Sequence, residues 1–223
     1  MTTPTTLFLV DQLCERYPSL NQIKPPIIEA CNQMIACYEN GGKILVCGNG
    51  GSCSDSDHIV GELMKSFELK RPISSKIQEK LAVIDPERGS YLASHLQQGL
   101  PAISLTAHTA LITAVANDID GEVIFAQQVI GYGQPNDILI AISSSGNSRN
   151  VLDACMVAKA MNLKVIGLTG ETGGKMKAFC DILINVPGRR TYFVQELHLP
   201  VYHLLCLAVE HHFFGPSATL RDR

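Results

Sequence analysis

The sequence predicts an α/β protein with a five-stranded parallel sheet flanked by helices on both faces. Five short, mostly apolar runs have the character of strands that are buried on both faces of a sheet. Between them lie segments in which apolar residues recur at helical spacing. Because strands that alternate with helices form parallel βαβ units, we expect a three-layer αβα sandwich.

The N-terminal elements are two helices, a strand and a third helix. In the second helix, apolar residues recur at helical spacing from Ile27 to Tyr38, and a glycine pair at 41–42 ends the pattern. The continuous apolar run after this pair indicates a buried strand. We therefore expect helices at 5–18 and 25–40, a strand at 43–47 and a helix at 53–67.

The rest of the chain repeats the alternation after a longer segment at about 70–100. That segment carries two short helical patterns, at 74–81 and 89–98, which the polar run from Asp85 to Gly89 separates. The later strands are expected at 102–105, 137–142, 164–168 and 181–186, and the later helices at 108–116, 122–132, 149–161, 174–179 and 191–213.

Length and composition predict one domain and exclude several classes of protein. The 223 residues, 46% hydrophobic and 17% charged, suffice for a sizeable core and argue against disorder. The net charge of −3 argues against direct nucleic-acid binding through bulk charge. No apolar run reaches the roughly 18 residues of a membrane span. We expect a single domain, 1–223, with N-terminal helices (about 5–40) and an inserted helical segment (about 70–100).

The eight cysteines and the first residues predict a cytoplasmic protein. No two cysteines form a CxxC pair, and several, such as Cys31, Cys47 and Cys206, fall on apolar helix or strand positions. This is typical of reduced, buried thiols. The chain also begins without the basic and apolar regions of a secretory signal.

Two polar loops follow expected strands, where parallel sheets bind ligands. The glycine loop (48–52, GNGGS) allows close approach of a ligand, and the helix after it presents free N–H groups that favour an anion. The serine loop (143–148, SSSGNS) offers four hydroxyls that can surround a phosphate. Each loop can also be a turn with a serine N-cap, but the polarity of the serine loop directly after a run of apolar residues favours a phosphate site.

Two helices carry candidate acid–base groups or metal ligands. His58 and Glu62 lie one turn apart on one helix face, where they can bind a metal, share a proton or form only a hydrogen-bonded pair. On the last helix, Gln195 and His203 are eight residues apart, about 12 Å along the axis. Their spacing alone does not predict that they share a metal.

Five motifs in this order resemble the sugar isomerase (SIS) domain family over about residues 20–213. They are the glycine loop, the pair His58 and Glu62, the pair Asn117 and Asp118, the serine loop, and Gln195-Glu196-Leu197-His198 with His203. Within the family, the chain is similar to the branch that isomerises seven-carbon sugar phosphates. The resemblance implies a homotetramer with active sites between subunits and one zinc ion per subunit.

The resemblance also implies a role for each site residue. It implies aldose–ketose isomerisation of sedoheptulose 7-phosphate to glycero-manno-heptose 7-phosphate through an enediol, with Glu62 as base and His203 as acid. The implied zinc ligands are His58, Glu62, Gln195 and His203. The implied substrate-binding residues are Asn49, Gly50, Gly51, Ser52, Glu62, Asn117, Asp118, Ser143, Ser144, Ser145, Ser148 and Gln195.

Three departures from the family pattern bear on the substrate. The segment at about 70–100 is longer than usual, Phe193 stands where an arginine is common, and Gly188 replaces a serine. The alternatives are an isomerase of another sugar phosphate and a non-catalytic SIS protein that binds a phosphosugar or a replication initiator. That initiator-binding branch typically lacks Gly51 and His203, and both are present here.

Overall fold

The computed structural model describes residues 2–216, and in it helices and strands alternate as the sequence predicts. The strands are β1 (Ile44–Gly48), β2 (Ala102–Ser104), β3 (Ile138–Ile142), β4 (Lys164–Thr169) and β5 (Ile182–Asn185). The helices are α1 (Pro4–Arg16), α2 (Lys24–Glu39), α3 (Gly51–Met64), α4 (Ser75–Ile84), α5 (Pro86–His95), α6 (Thr109–Asp118), α7 (Ile124–Tyr132), α8 (Arg149–Ala160) and α9 (Thr191–Phe214). Short 3₁₀ helices span Pro18–Ile23, Gly121–Val123 and Gly174–Ala178.

The five strands form one parallel sheet in the order β2-β1-β3-β4-β5, which confirms the predicted fold class. From β1 the chain first adds β2 on one side and then crosses to place β3 on the other. The direction of winding therefore reverses between β1 and β3. In open parallel sheets, ligands bind outside the carboxyl ends of the strands at such a reversal.

Alternate residues of the central strands face two separate hydrophobic clusters. Ile44 and Val46 of β1 pack into a cluster with residues of α1, α2, α3 and α9. Leu45 and Cys47 face the opposite cluster, which contains residues of α7 and α8. Helices thus cover both faces of the sheet, and this is why β1 reads as a continuous apolar run.

The helical segment between α3 and β2 differs in detail from the prediction. The sequence predicts that the run from Asp85 to Gly89 separates two helices, but α5 begins inside it, at Pro86. The Asp85 carboxylate accepts a hydrogen bond from the Arg88 N–H at 2.7 Å, and proline is well suited to the first helical position. Gly89 then faces the Leu81 carbonyl so closely that a Cβ would collide with it, so α4 and α5 pack tightly together.

A buried ion pair determines where α3 ends. The Arg71 Nε–H donates to Glu210 of α9 at 2.7 Å, and neither side chain is exposed. The Glu210 carboxylate also accepts the backbone N–H groups of residues 67–69. Because these groups bond to α9 rather than to a helical turn, α3 ends at Met64 and not at residue 67 as expected.

The eight cysteines are free, and six of them are buried, among them Cys31, Cys47 and Cys206. Among residues 2–216, no helix has the length and apolar character needed to cross a membrane.

Candidate active site

The glycine and serine loops lie side by side at the carboxyl ends of β1 and β3. These two strands are neighbours in the sheet, so the N-termini of α3 and α8 are brought together. The side-chain amides of Asn49, in the glycine loop, and Asn150, in the first turn of α8, are joined by a reciprocal pair of hydrogen bonds at 2.8 and 3.0 Å. Two helix N-termini at one crevice form a strong site for an anion, because both supply free N–H groups and the positive ends of helix dipoles.

The serine loop has the geometry of an anion cradle. The hydroxyls of Ser143 and Ser148 lie 3.1 Å apart, and the Ser145 hydroxyl accepts a hydrogen bond from the Asn147 N–H. Ser148 is the N-cap of α8, but its hydroxyl does not cap the helix. The hydroxyl is therefore available to a ligand. Gly146 has a positive φ of 64° and packs on the Gly173 carbonyl, which fixes the turn.

The glycine loop closes against the second turn of α9. Gly50 has a positive φ of 57° and is the N-cap of α3. A Cβ on Gly51 would collide with the side-chain amide of Gln195, so only glycine lets α9 come this close. Ser52 is buried beneath the loop, and its backbone N–H donates to the Asn49 carbonyl at 3.0 Å.

His58, Glu62 and His203 meet about two turns further along α3. The Nε2 of His58 lies 3.3 Å from Oε1 of Glu62, and the other carboxylate oxygen accepts from Lys65 at 2.7 Å. The rings of His58 and His203 make an edge contact with centroids 4.9 Å apart. Burial lowers the pKa of His203, and the nearby His58 lowers it further. The cluster therefore combines a carboxylate with two imidazoles, the groups that general acid–base catalysis uses.

Tyr202 and Asp55 extend this cluster into the protein. The Tyr202 hydroxyl lies 3.0 Å from Nδ1 of His58 and 3.2 Å from Oδ1 of Asp55. Burial raises the pKa of Tyr202, so its phenol keeps the proton. Sequence reasoning missed both residues, since nothing in their spacing links Tyr202 to a helix that lies 144 residues earlier.

The single chain does not bring Gln195 to the histidines. Helices α3 and α9 run side by side in the same direction, since Gly51 faces Gln195 and His58 faces Tyr202. Gly51 and His58 are seven residues apart on α3, and Gln195 and Tyr202 are seven residues apart on α9. Seven residues span about 10 Å along a helix. The structure therefore places Gln195 with the two loops and His203 with the acid–base cluster.

The donor types fit zinc, although one chain does not complete a site. His58, Glu62 and His203 supply nitrogen and oxygen donors of the kind that zinc prefers, and Nε2 of His203 is buried without a hydrogen-bond partner in the described part of the chain. Within residues 2–216, however, no three His, Cys, Asp or Glu side chains converge closely enough to hold an ion.

The remaining predicted residues lie apart from these contacts. Asn117 and Asp118 end α6 in exposed positions, where the Asn117 amide donates to the Asp118 carboxylate at 2.8 Å. Phe193, in place of the common arginine, is 43% exposed. Arg189, four residues before Phe193, is paired with Glu171 at 2.8 Å.

Comparison with known proteins identifies related sequences and structures. Residues 11–90 and 86–170 match the SIS domain family. A phosphoheptose isomerase from Laribacter hongkongensis is 37% identical, with 92% of this chain and 93% of that protein covered, and one from Rhodospirillum rubrum is 40% identical, with 86% and 88% covered. The solved phosphoheptose isomerase from Francisella tularensis has a TM-score of 0.73 and 35% identity, with 88% of this chain and 91% of that one covered. The enzyme from Neisseria gonorrhoeae has a TM-score of 0.68 and 32% identity, with 92% and 93% covered.

Proposed function

This chain belongs to the SIS domain family, and because its relatives are phosphoheptose isomerases, we propose that it interconverts sedoheptulose 7-phosphate and glycero-manno-heptose 7-phosphate. The observation that carries this proposal is the arrangement of an anion cradle at the N-termini of α3 and α8 and an acid–base cluster about two turns along α3. The anion cradle can hold the phosphate at one end of the sugar, while the acid–base cluster reacts with the carbonyl end. Gly51 and His203, which the initiator-binding branch typically lacks, both take part in this arrangement.

The serine loop holds the phosphate in this proposal. Ser143, Ser144, Ser145 and Ser148 offer hydroxyls beside the N-terminus of α8, and no lysine or arginine is needed. Hydrogen bonds to a charged group are worth about 1.5–3 kcal/mol each, and the helix dipole adds to them. The neighbouring glycine loop then faces the sugar hydroxyls.

Glu62 and His203 perform the proton transfers. Isomerisation moves a proton between C1 and C2, and we assign this step to the Glu62 carboxylate. His203, whose pKa is lowered by burial, delivers a proton to the oxygens as the enediol forms and collapses. Lys65 must release the second carboxylate oxygen of Glu62, and its side chain, which is 59% exposed, has the freedom to do so.

We further propose one zinc ion per subunit, held by His58, Glu62, His203 and Gln195. A bound zinc ion would polarise the sugar carbonyl and make the adjacent proton easier to remove. Support comes from His203, whose buried Nε2 has no partner among the described residues, and from Nε2 of His58 and Oε1 of Glu62, which lie 3.3 Å apart.

The same chain is proposed to form a cytoplasmic homotetramer with shared active sites. A cavity of about 610 Å³ lies between α1 and α9, with His203 on its wall and the exposed Phe8 and Leu199 at its edge. A neighbouring subunit that covers this face can complete the site with its own Gln195. Free thiols are typical of the cytoplasm, where disulfides are rare.

Glu62→Gln tests the assignment of the base. The variant keeps the volume but loses the proton acceptor, so kcat on sedoheptulose 7-phosphate should fall at least about 10²-fold. Zinc content is measured on the same samples, with one ion per chain expected in the unaltered protein, and Glu196→Gln on the exposed face of α9 serves as the control. Near-normal turnover of Glu62→Gln with zinc retained would assign the base role to another group. Absence of any isomerisation by the unaltered protein would refute the enzyme itself.

Subunit mixing tests the shared site. Gln195→Ala and His203→Ala are each expected to be inactive alone. If one chain supplies Gln195 and its neighbour His203, co-expressed chains of both variants form hybrid sites, some of which carry neither change. Activity should then return in the mixed tetramers. Mixed tetramers that remain inactive would place all four ligands in one chain.

A further inference from the structure

Helices α4 and α5 form an arm (residues 74–96) that stands apart from the rest of the chain. They pack on each other, and in the described part of the chain no other helix or strand makes extensive contact with either of them. Gly89, where α5 meets the backbone of α4, is the only residue of the arm that is buried. Two segments join the arm to the body, where the Gln98 N–H donates to the Arg71 carbonyl at 2.7 Å. The arm therefore has almost no core of its own.

Five apolar residues form a seam along the arm that the two helices cover only in part. Ile77, Leu81 and Ile84 recur at i, i+4 and i+7, on one side of α4. At the end of α5, Leu92 and Leu96 lie one turn apart. Leu81 and Leu92 are half-buried, but Ile77 is 43% exposed, Ile84 81% and Leu96 48%. The seam of a single arm is therefore incomplete.

The seam fits a second pair of helices of the same kind. Helices of about ten residues are too short to be stable in water on their own, and they gain stability by burying an apolar stripe against another element. One neighbouring helix covers only part of such a stripe, as the exposure of the seam shows. In a four-helix bundle, the stripes of four helices meet in a shared core. The arm supplies two such helices, and the arm of another copy of this chain supplies the other two.

The charges along the arm match an antiparallel pairing of two arms. The base of α4 carries Lys76, whereas Asp85 and Glu87 lie at the tip, where α4 is followed by α5. If two arms run in opposite directions about a two-fold axis, the base of each meets the tip of the other, and opposite charges face each other twice. Residues 74–96 also carry three basic and three acidic side chains, so two arms have no net charge that would repel.

We propose that the arms of two copies of this chain pack seam to seam, antiparallel about a two-fold axis. Each arm presents a face about 15 Å long and about 20 Å wide, or roughly 300 Å² in projection. A stable interface buries about 800 Å² on each partner, so the arm contact adds to another contact between copies and does not hold them together alone. The inference therefore rests on the oligomer of the proposed function, but not on zinc or on isomerase activity.

Replacement of Ile84 tests the contribution of the arm to assembly. Ile84→Lys places a charge in the seam, opposite the basic base of the partner's arm, so the affinity between copies should fall at least about 10-fold. Val83→Lys is the matched control, because Val83 is 86% exposed and lies about 100° around the helix from Ile84, outside the seam. In sedimentation velocity over a range of concentrations, Ile84→Lys should dissociate where the unaltered protein and Val83→Lys stay assembled. Circular dichroism and the Tm establish that each variant is folded.

Photo-cross-linking identifies the surface that the seam contacts. A benzophenone amino acid replaces Ile77, near the base of the arm, in a mixture of ¹⁵N-labelled and unlabelled chains. Mass spectrometry then distinguishes cross-links between two copies from those within one. The antiparallel contact predicts cross-links from position 77 to the tip of the partner's arm. The same amino acid at Ile119, which is 64% exposed outside the arm, should not cross-link to either arm.

The arm contact is refuted if Ile84→Lys assembles as tightly as Val83→Lys, or if the unaltered protein stays monomeric. Cross-links from position 77 to the base of the partner's arm, to any other part of the partner, or only within one chain would also overturn it. Isomerase activity of the unaltered protein is measured separately. Failure of the proposed reaction would therefore leave the mass and cross-linking results to decide the arm contact.

Discussion

Replacement of Glu210 by glutamine should destabilise the protein strongly, although Glu210 is remote from the substrate loops. Its carboxylate accepts four N–H groups, one from Arg71 and three from the backbone of residues 67–69. Burial alone would raise the pKa of Glu210, but the backbone donors and Arg71 lower it on balance. The charged form is thus the stabilising one, and its contribution is lost as the pH falls through that lowered pKa.

The magnitude follows from the burial of both partners. Neither Arg71 nor Glu210 has any exposed side-chain surface, so Glu210→Gln leaves an arginine charge without its counter-ion inside the protein. Breaking such a pair costs about 3–5 kcal/mol of unfolding free energy. For a chain of this size, that corresponds to a Tm lower by roughly 6–20 °C. The double variant Arg71→Met with Glu210→Leu should recover only part of the loss, because the three backbone N–H groups stay unpaired.

Thermal unfolding at one protein concentration, with circular dichroism as the signal, measures this effect. Glu171→Gln is the matched control, because Glu171 also pairs with an arginine, Arg189, but on the surface. Exposed pairs contribute little, so the control should unfold near the Tm of the unaltered protein. If Glu210→Gln is no less stable than Glu171→Gln, the buried pair of Arg71 and Glu210 does not stabilise the fold as proposed.

Two further variants test the phosphate cradle and a buried histidine. Ser145→Ala should raise KM for the sugar phosphate roughly 10-fold or more, since a hydrogen bond to a charged group is lost, while Ser90→Ala on the exposed surface of α5 leaves KM unchanged. An unchanged KM for Ser145→Ala would place the phosphate elsewhere. Burial lowers the pKa of His198 from 6.5 to about 4, so the unfolded chain binds this proton first and stability falls by about 3 kcal/mol as the pH drops from 6.5 to 4. His198→Leu should make stability less dependent on pH in this range. An unaltered slope would show that His198 is not the source of this pH dependence.

The fold is predictable because its strands are buried on both faces. β1 and β3 are continuous apolar runs with helices between them, and the pattern suffices to identify each of them locally. The order of the strands within the sheet cannot be predicted from this local pattern, because it depends on pairings between residues almost 100 positions apart, such as Ile44 with Ile138. The start of α5 is also difficult to predict from the sequence. Asp85-Pro86 has the composition of a break between helices, whereas in the structure Asp85 is the N-cap of α5 and Pro86 is its first residue.

The site is predictable only where its residues follow strands or share a helix turn. The two loops and the pair His58 and Glu62 belong to these classes. The amide pair of Asn49 with Asn150 and the contact of Tyr202 with His58 do not, since each joins positions more than 100 residues apart.

Gln195 shows what helix spacing can and cannot establish about the site. Gln195 and His203 are eight residues apart on α9, or about 12 Å along the helix axis. This distance already indicates that the two side chains of one chain do not reach the same ion. The contacts of Gln195 explain its position: Gly51 leaves room for the Gln195 amide at the glycine loop, two turns from the acid–base cluster. Because α3 and α9 run in the same direction, small adjustments of either helix cannot close this gap. A site that uses all four proposed ligands therefore requires a second chain, so zinc binding and assembly should be lost together.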